Sequence, residues 1–262
     1  MRLEAKIKMT LDIWKECKGE KCIRAINETA WRMVELQEKT STRKLVDSIE
    51  EQKVLEELIE EAKPILSTSQ TRFHPLLYTP FRYPPLKHGS RFGKKTESSL
   101  WYGSLIIETA MAEKAFYQLA FINASAGEFG IVTSPMTIFS VKLKIIKGAQ
   151  LNKEPFSKYE NKISSPTTYK DTQLLGLRMR ENDIDGFTFV SARDANMGIN
   201  VGLFNMSAFE KKTPEEKSFQ TWQCNTTKNN VEFIKIGSIN DHTLTFSIKN
   251  FHIDGKLPFP AV

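Results

Sequence analysis

Glu113 is a carboxylate placed where packing should not tolerate one. On a helix from Thr109 to Ile122 its neighbours at i−3, i+3, i+4 and i+7 are Ala110, Phe116, Tyr117 and Ala120, a small or apolar face. The side chain therefore points toward packed structure, where an ionised group needs a charged or hydrogen-bonding partner. Two readings stay open on this pattern: a structural ion pair with an arginine, or a carboxylate held ready for chemistry. Basic residues are concentrated nearby. Residues 65–114 carry Arg72, Arg82, Lys87, Arg91, Lys94, Lys95 and Lys114 against three acids, net +4, whereas residues 1–64 as a whole carry net −1. Such a segment is either a solvated face or a surface for a small anionic ligand.

The elements that must position these groups follow from pattern. Residues 20–63 read as helical. Ile23, Ile26, Ala30, Met33 and Val34 fit one side of an early helix. Ser48 with Glu51 forms a capping box before the stripe Val54, Leu55, Leu58 and Ile59, which Pro64 ends. From Ser67 to Leu100 the chain turns to Pro, Tyr, Phe, Arg and Gly, and the run Thr79–Pro85 argues against a regular helix because proline lacks the amide donor. A helix follows from about Ile107 to Ile122, then glycines at 127 and 130. Residues 137–146 alternate as a strand, with Phe139, Val141, Leu143 and Ile145 inward and Ser140, Lys142 and Lys144 outward. A short helix over Tyr169–Arg180 and strands at Phe187–Val190, Asn200–Phe204, Val231–Ile236 and Thr243–Ile248 complete the reading. Without a regular βαβ repeat, the expected class is α+β with a largely antiparallel sheet. The composition change divides the chain into a helical extension, 1–66, and a second domain, 67–262.

Four separated blocks then resemble one family. Gly89-Ser90-Arg91-Phe92-Gly93, Trp101-Tyr102 and Glu108-Thr109-Ala110-Met111-Ala112-Glu113 place Arg91, Tyr102 and Glu113 at two equal intervals of 11 residues, similar to the Arg, Tyr and Glu constellation of the RES domain family. Gly186–Asp194 followed by Asn200–Phe204 resembles that family's segment bearing its Ser, here Ser191. The likeness covers roughly residues 70–210, and residues 1–64 look like the extension of longer members. It implies a fold similar to ADP-ribosyltransferases and cleavage of the nicotinamide–ribose bond of NAD, with inorganic phosphate or water as acceptor. It further implies a toxin neutralised by an Xre-type antitoxin. Loss of nicotinamide builds positive charge on the ribose, so a fixed carboxylate such as Glu113 would stabilise the oxocarbenium or hold a ribose hydroxyl. Arg91, with Arg72 as second candidate, would grip the diphosphate or an attacking phosphate. The resemblance gives Tyr102 the role of stacking on the nicotinamide and Ser191 that of a hydrogen bond to carboxamide or ribose. Against these stand plainer readings: Arg91 pairing with Glu113, Tyr102 as a satisfied strand residue, Ser191 capping a turn. Arg82, Arg193 and Asn200 are expected to be structural or supporting.

Composition narrows the field. The chain of 262 residues has net charge +6 and a pI near 9.1, too mild an excess to make nucleic acid the default partner. No stretch reaches the ~18 apolar residues of a spanning helix, and the charged start Met1-Arg2-Leu3-Glu4 does not suit a signal peptide, so a cytoplasmic protein without membrane attachment is expected. Cys17, Cys22 and Cys224 leave an odd count, and His74, His88, His242 and His252 never fall three to five residues apart, so neither a disulfide framework nor a metal site is expected. A homo-oligomer is compatible with the sequence. Two other functions fit the same residues: ADP-ribosyl transfer to a protein, and a non-catalytic module whose first helices recruit a partner.

Overall fold

The computed structural model describes residues 10–36, 46–66, 68, 70–85, 87–237 and 242–259. Among these residues eight strands form one sheet: β1 (Arg24–Glu35), β2 (Trp101–Ser104), β3 (Val132–Gln150), β4 (Gly186–Val190), β5 (Ile199–Leu203), β6 (Gln220–Thr226), β7 (Asn230–Lys235) and β8 (Thr243–Ser247). The order is β1-β2-β5-β4-β3-β6-β7-β8, and β1 also pairs with β3, so the first five strands in that order close into a ring. Every pairing is antiparallel except β3 with β4. The helices are α1 (Ile13–Glu16), α2 (Ile49–Glu61), α3 (Pro75–Arg82), α4 (Ile107–Ala124), α5 (Glu160–Ile163) and α6 (Lys170–Glu181). None is long and apolar enough to cross a membrane.

The 19-residue β3 is the spine. Its Met136–Gly148 stretch pairs with β1, its first residues with β6 and its last three with β4. Phe139, Val141, Leu143 and Ile145 are buried inside the ring with Trp101, Val201 and Leu203, as the alternation predicts. Burial of each such side chain is worth roughly 1.5–3 kcal/mol. Lys142 and Lys144 are exposed, but Ser140 is buried, because the 206–218 segment lies along this edge. Ser218 Oγ accepts from the Ser140 amide at 2.8 Å, and the Glu215 amide donates to the Ser140 carbonyl at 2.9 Å.

Residues 24–35 correct the helical expectation for this part of the chain: they form β1. The residues buried there, Ile26, Ala30 and Met33, have helix-like spacing for a different reason. Ile26 and Ala30 face the ring interior, while Met33 faces a second core under α4, so the buried side of the strand switches between Ala30 and Met33. The capping box of α2 is present as expected, with Ser48 Oγ accepting from the Glu51 amide at 3.0 Å and Glu51 Oε2 accepting from the Ser48 amide at 3.2 Å. Residues 37–45 of the helical expectation lie outside the described residues. A second correction concerns α3, which contains Pro80. Pro75 begins this helix, where a missing amide costs nothing, and His74 Nδ1 caps it by accepting from the Leu76 amide, so Pro80 removes only one internal bond of an eight-residue helix.

Candidate functional site

Helix α4 lies against β1 and delivers Glu113 from its second turn to the mouth of the ring. Strand register brings the partners to it. Ser104 on β2 stands opposite Asn200 on β5, and Asn200 stands opposite Phe189 on β4, so Ser191 follows immediately after β4 on the same side. Ser104 Oγ donates to Asn200 Oδ1 at 2.6 Å, which turns the Asn200 amide so that Nδ2 donates to Glu113 Oε1 at 2.6 Å. Ser191 Oγ donates to the same oxygen at 2.6 Å. That hydroxyl in turn accepts from the amides of Arg193 and Asp194, at 3.1 and 3.2 Å, which orients its proton toward Glu113. Oε2 accepts no hydrogen bond among the described residues, and Glu113 lines a cavity of about 230 Å³. Charge-assisted bonds of this length fix the carboxylate before any ligand arrives.

The turn carrying Ser191 is itself clamped to α4. Asp194 Oδ2 accepts from Thr109 Oγ1 at 2.7 Å, and Met197 closes the turn with φ +56°. Gly198 passes so close to Thr109 that a Cβ there would collide with the threonine hydroxyl.

Two guanidinium groups line the cavity. Arg91 is 8% exposed; its Nη1 donates to the carbonyls of Ile163 and Ser165 at 3.1 and 2.8 Å, and its carbon lies 4.8 Å from the centre of the Tyr169 ring. Arg32, on β1, donates from Nη1 to the Tyr102 carbonyl at 3.3 Å and lies 5.3 Å from the Trp101 ring centre. Burial pushes its guanidinium down to about 10, still charged at neutral pH. Among the described residues neither arginine pairs with a carboxylate, and Arg91 does not pair with Glu113. Lys114 also lines the cavity, but it pairs with Glu35 at 3.2 Å. Part-buried cations without counter-ions at one cleft are arranged for an anion.

Tyr102 borders the same cavity with its hydroxyl committed. It exchanges a hydrogen bond with Ser90 Oγ at 3.0 Å and accepts from the Phe92 amide at 3.3 Å, while its ring meets Phe189 edge-on at 6.5 Å. Burial pushes the phenol up to about 12. Its structural effect is to tie the Arg91 loop to β2.

A family model for the RES domain matches residues 67–225, well over half of the chain. The chain belongs to the RES domain family. A solved structure is similar over 83% of this chain and 93% of its own, at 10% identity and a TM-score of 0.45: the crystal structure of the M. tuberculosis MbcT–MbcA toxin–antitoxin complex. No curated protein matches.

Of the positions expected from the sequence of this RES domain, Glu113, Arg91 and Tyr102 line the cavity, and Ser191 reaches it through Glu113. Arg72 is not brought to the cavity: it sits exposed in a 3-10 turn, Gln70–Arg72, outside the residues lining it, because that turn leads into α3 rather than toward α4. Arg82 is structural as expected, donating to the Pro64 carbonyl at 2.6 Å. Arg193 lies 3.6 Å from the Phe116 ring centre and donates to the Pro166 carbonyl at 3.0 Å. Asn200 has the supporting place expected of it, bonding Glu113 directly, whereas sequence reasoning missed Arg32, since a segment read as helix offered no reason to aim Arg32 at the site. Among the described residues no group of three or more His, Cys, Asp or Glu could hold a metal ion.

Proposed function

We propose that this RES domain cleaves the nicotinamide–ribose bond of NAD, passing the ADP-ribosyl group to phosphate or water. The observation that supports it best is the pairing of opposite charges across one small cleft: a pre-oriented carboxylate, Glu113, with Arg32 and Arg91, two cations without carboxylate partners. NAD carries a cationic pyridinium at one end of its ribose and an anionic diphosphate at the other, so it complements that arrangement. The cavity of about 230 Å³ is below the roughly 300–1,000 Å³ of sites that enclose a whole ligand, which suits the nicotinamide riboside half with the remainder over the rim.

In this mechanism the C1′–N bond breaks and its electron pair goes to the nicotinamide nitrogen, which leaves neutral and needs no general acid. Positive charge develops at C1′ and the ring oxygen, where Oε2 of Glu113 is free to stabilise it, while Ser191 and Asn200 keep Oε1 in place. An oxygen of phosphate or water then captures the oxocarbenium, water giving up its extra proton to solvent. The guanidinium donors of Arg32 and Arg91 would hold the diphosphate or an acceptor phosphate. By its family we also assign the protein the role of a toxin held in check by an antitoxin, of the Xre type.

Glu113→Gln keeps the shape and the amide-bonding capacity but removes the charge. Nicotinamide release from NAD is expected to fall by at least about 10²-fold, with an unchanged melting temperature. Equal turnover by both proteins would remove Glu113 from the reaction. Labelled NAD with and without phosphate separates the acceptors: ADP-ribose 1″-phosphate marks phosphate, ADP-ribose marks water, and protein-bound label marks transfer to protein.

A further inference from the structure

Among the described aromatic residues lining the cavity, Tyr117 is the most exposed, Trp31, Tyr102 and Phe189 being partly or fully buried. Tyr117 lies four residues after Glu113 on α4, so the two side chains share a helix face with Cβ atoms about 5–6 Å apart. It lines the cavity and is 55% exposed, whereas Tyr102 has its hydroxyl bonded twice and its ring packed against the core formed by Phe92, Phe187 and Phe189. The Tyr117 ring is also steadied: Phe116 meets it edge-on at 5.4 Å. A large exposed aromatic beside a fixed carboxylate is a platform for a flat, positively charged ring.

Building on the NAD reading above, we propose that Tyr117 is a substrate-binding residue, its ring forming the wall on which the pyridinium of NAD lies. The base on C1′ is one bond from the reacting carbon, so a carboxylate that serves C1′ must have that base, and not the distant adenine, within one helical turn. Tyr117 thus takes the stacking role that the family resemblance gave to Tyr102. The attraction of a π face for a cation exists while the ring is charged and vanishes once the bond electrons have passed to its nitrogen. Tyr117 therefore holds substrate and the still partly charged transition state about equally, which lowers KM without raising kcat, and lets neutral nicotinamide go.

The test measures binding on the full chain in the Glu113→Gln background, where NAD persists. Tyr117→Ala is expected to weaken NAD about tenfold and to leave ADP-ribose, which lacks the pyridinium, unchanged. Tyr117→Phe keeps the ring and is expected to bind NAD as the parent does. In the otherwise native chain Tyr117→Ala raises KM about tenfold with kcat within about threefold. An equal loss of ADP-ribose affinity, an indifferent alanine variant, or a phenylalanine variant as weak as alanine each overturns the platform. A parent chain that binds neither NAD nor ADP-ribose overturns the NAD reading itself and this inference with it. Parent binding with an indifferent alanine variant overturns only the inference.

Discussion

One oxygen of Glu113 takes two hydrogen bonds of 2.6 Å from residues 191 and 200, and each donor is itself oriented by another group: backbone amides for Ser191, Ser104 for Asn200. Removing either donor loosens the carboxylate without removing its charge. Asn200→Ala is expected to lower nicotinamide release about 10- to 100-fold, and a Ser191→Ala, Asn200→Ala double variant less than the product of the two single effects, because both act through one atom. Strict multiplicativity in steady-state assays would show that the two side chains act separately. At this scale much could be read from the chain alone. Glu113 betrays itself by an apolar helix face, with Arg91, Tyr102 and Ser191 supplied by the resemblance to the RES family. Asn200 does not, since an asparagine in a strand carries no local sign of which way its amide will face; that is set by a cross-strand neighbour 96 residues away.

Among the elements, the 139–145 part of β3 follows from periodicity because its buried side chains, Phe139, Val141, Leu143 and Ile145, share one face and one core. Strand β1 defeats the same reasoning because it serves two cores in succession, so its buried positions fall at 26, 30 and 33 and imitate a helical stripe. Arg32 was hidden by that error. Helix α6 acts on the site through the Arg91 loop. Gly176 faces Phe92 so closely that a Cβ would collide with its carbonyl oxygen, and Gln173 Nε2 donates to the carbonyls of Ser90 and His88 at 3.2 and 3.3 Å. Gly176→Ala is expected to cost about 1–3 kcal/mol, seen as a lower denaturation midpoint. It should also depress activity in the folded fraction, since the loop that must shift is the one bearing Arg91. A variant as stable as the parent would show that α6 can move away freely.

For the molecule as a whole, alkali is the informative stress. Burial pushes the Cys17 thiol from its ordinary value near 9.0 to about 11, and Tyr102 from 10.0 to about 12. Both are neutral acids in the fold with raised pKa values, so their contribution is complete below the unfolded values and is lost as pH climbs through the folded ones. The melting temperature is expected to fall from about pH 9, with Cys17→Ala lessening the decline between pH 9 and 11 and leaving the parts that Cys224, also pushed up by burial, and, above pH 10, Tyr102 contribute. A melting temperature that holds steady to pH 11 in the parent would contradict this. The ring of strands has a consequence for synthesis. Its first member is made early and supplies Arg32, yet the circle shuts only when β4 and β5, residues 186–203, have emerged to join the strands already made. A chain still growing on the ribosome thus carries no assembled centre until residue 203 has emerged, so the half-made product is inert at this cleft.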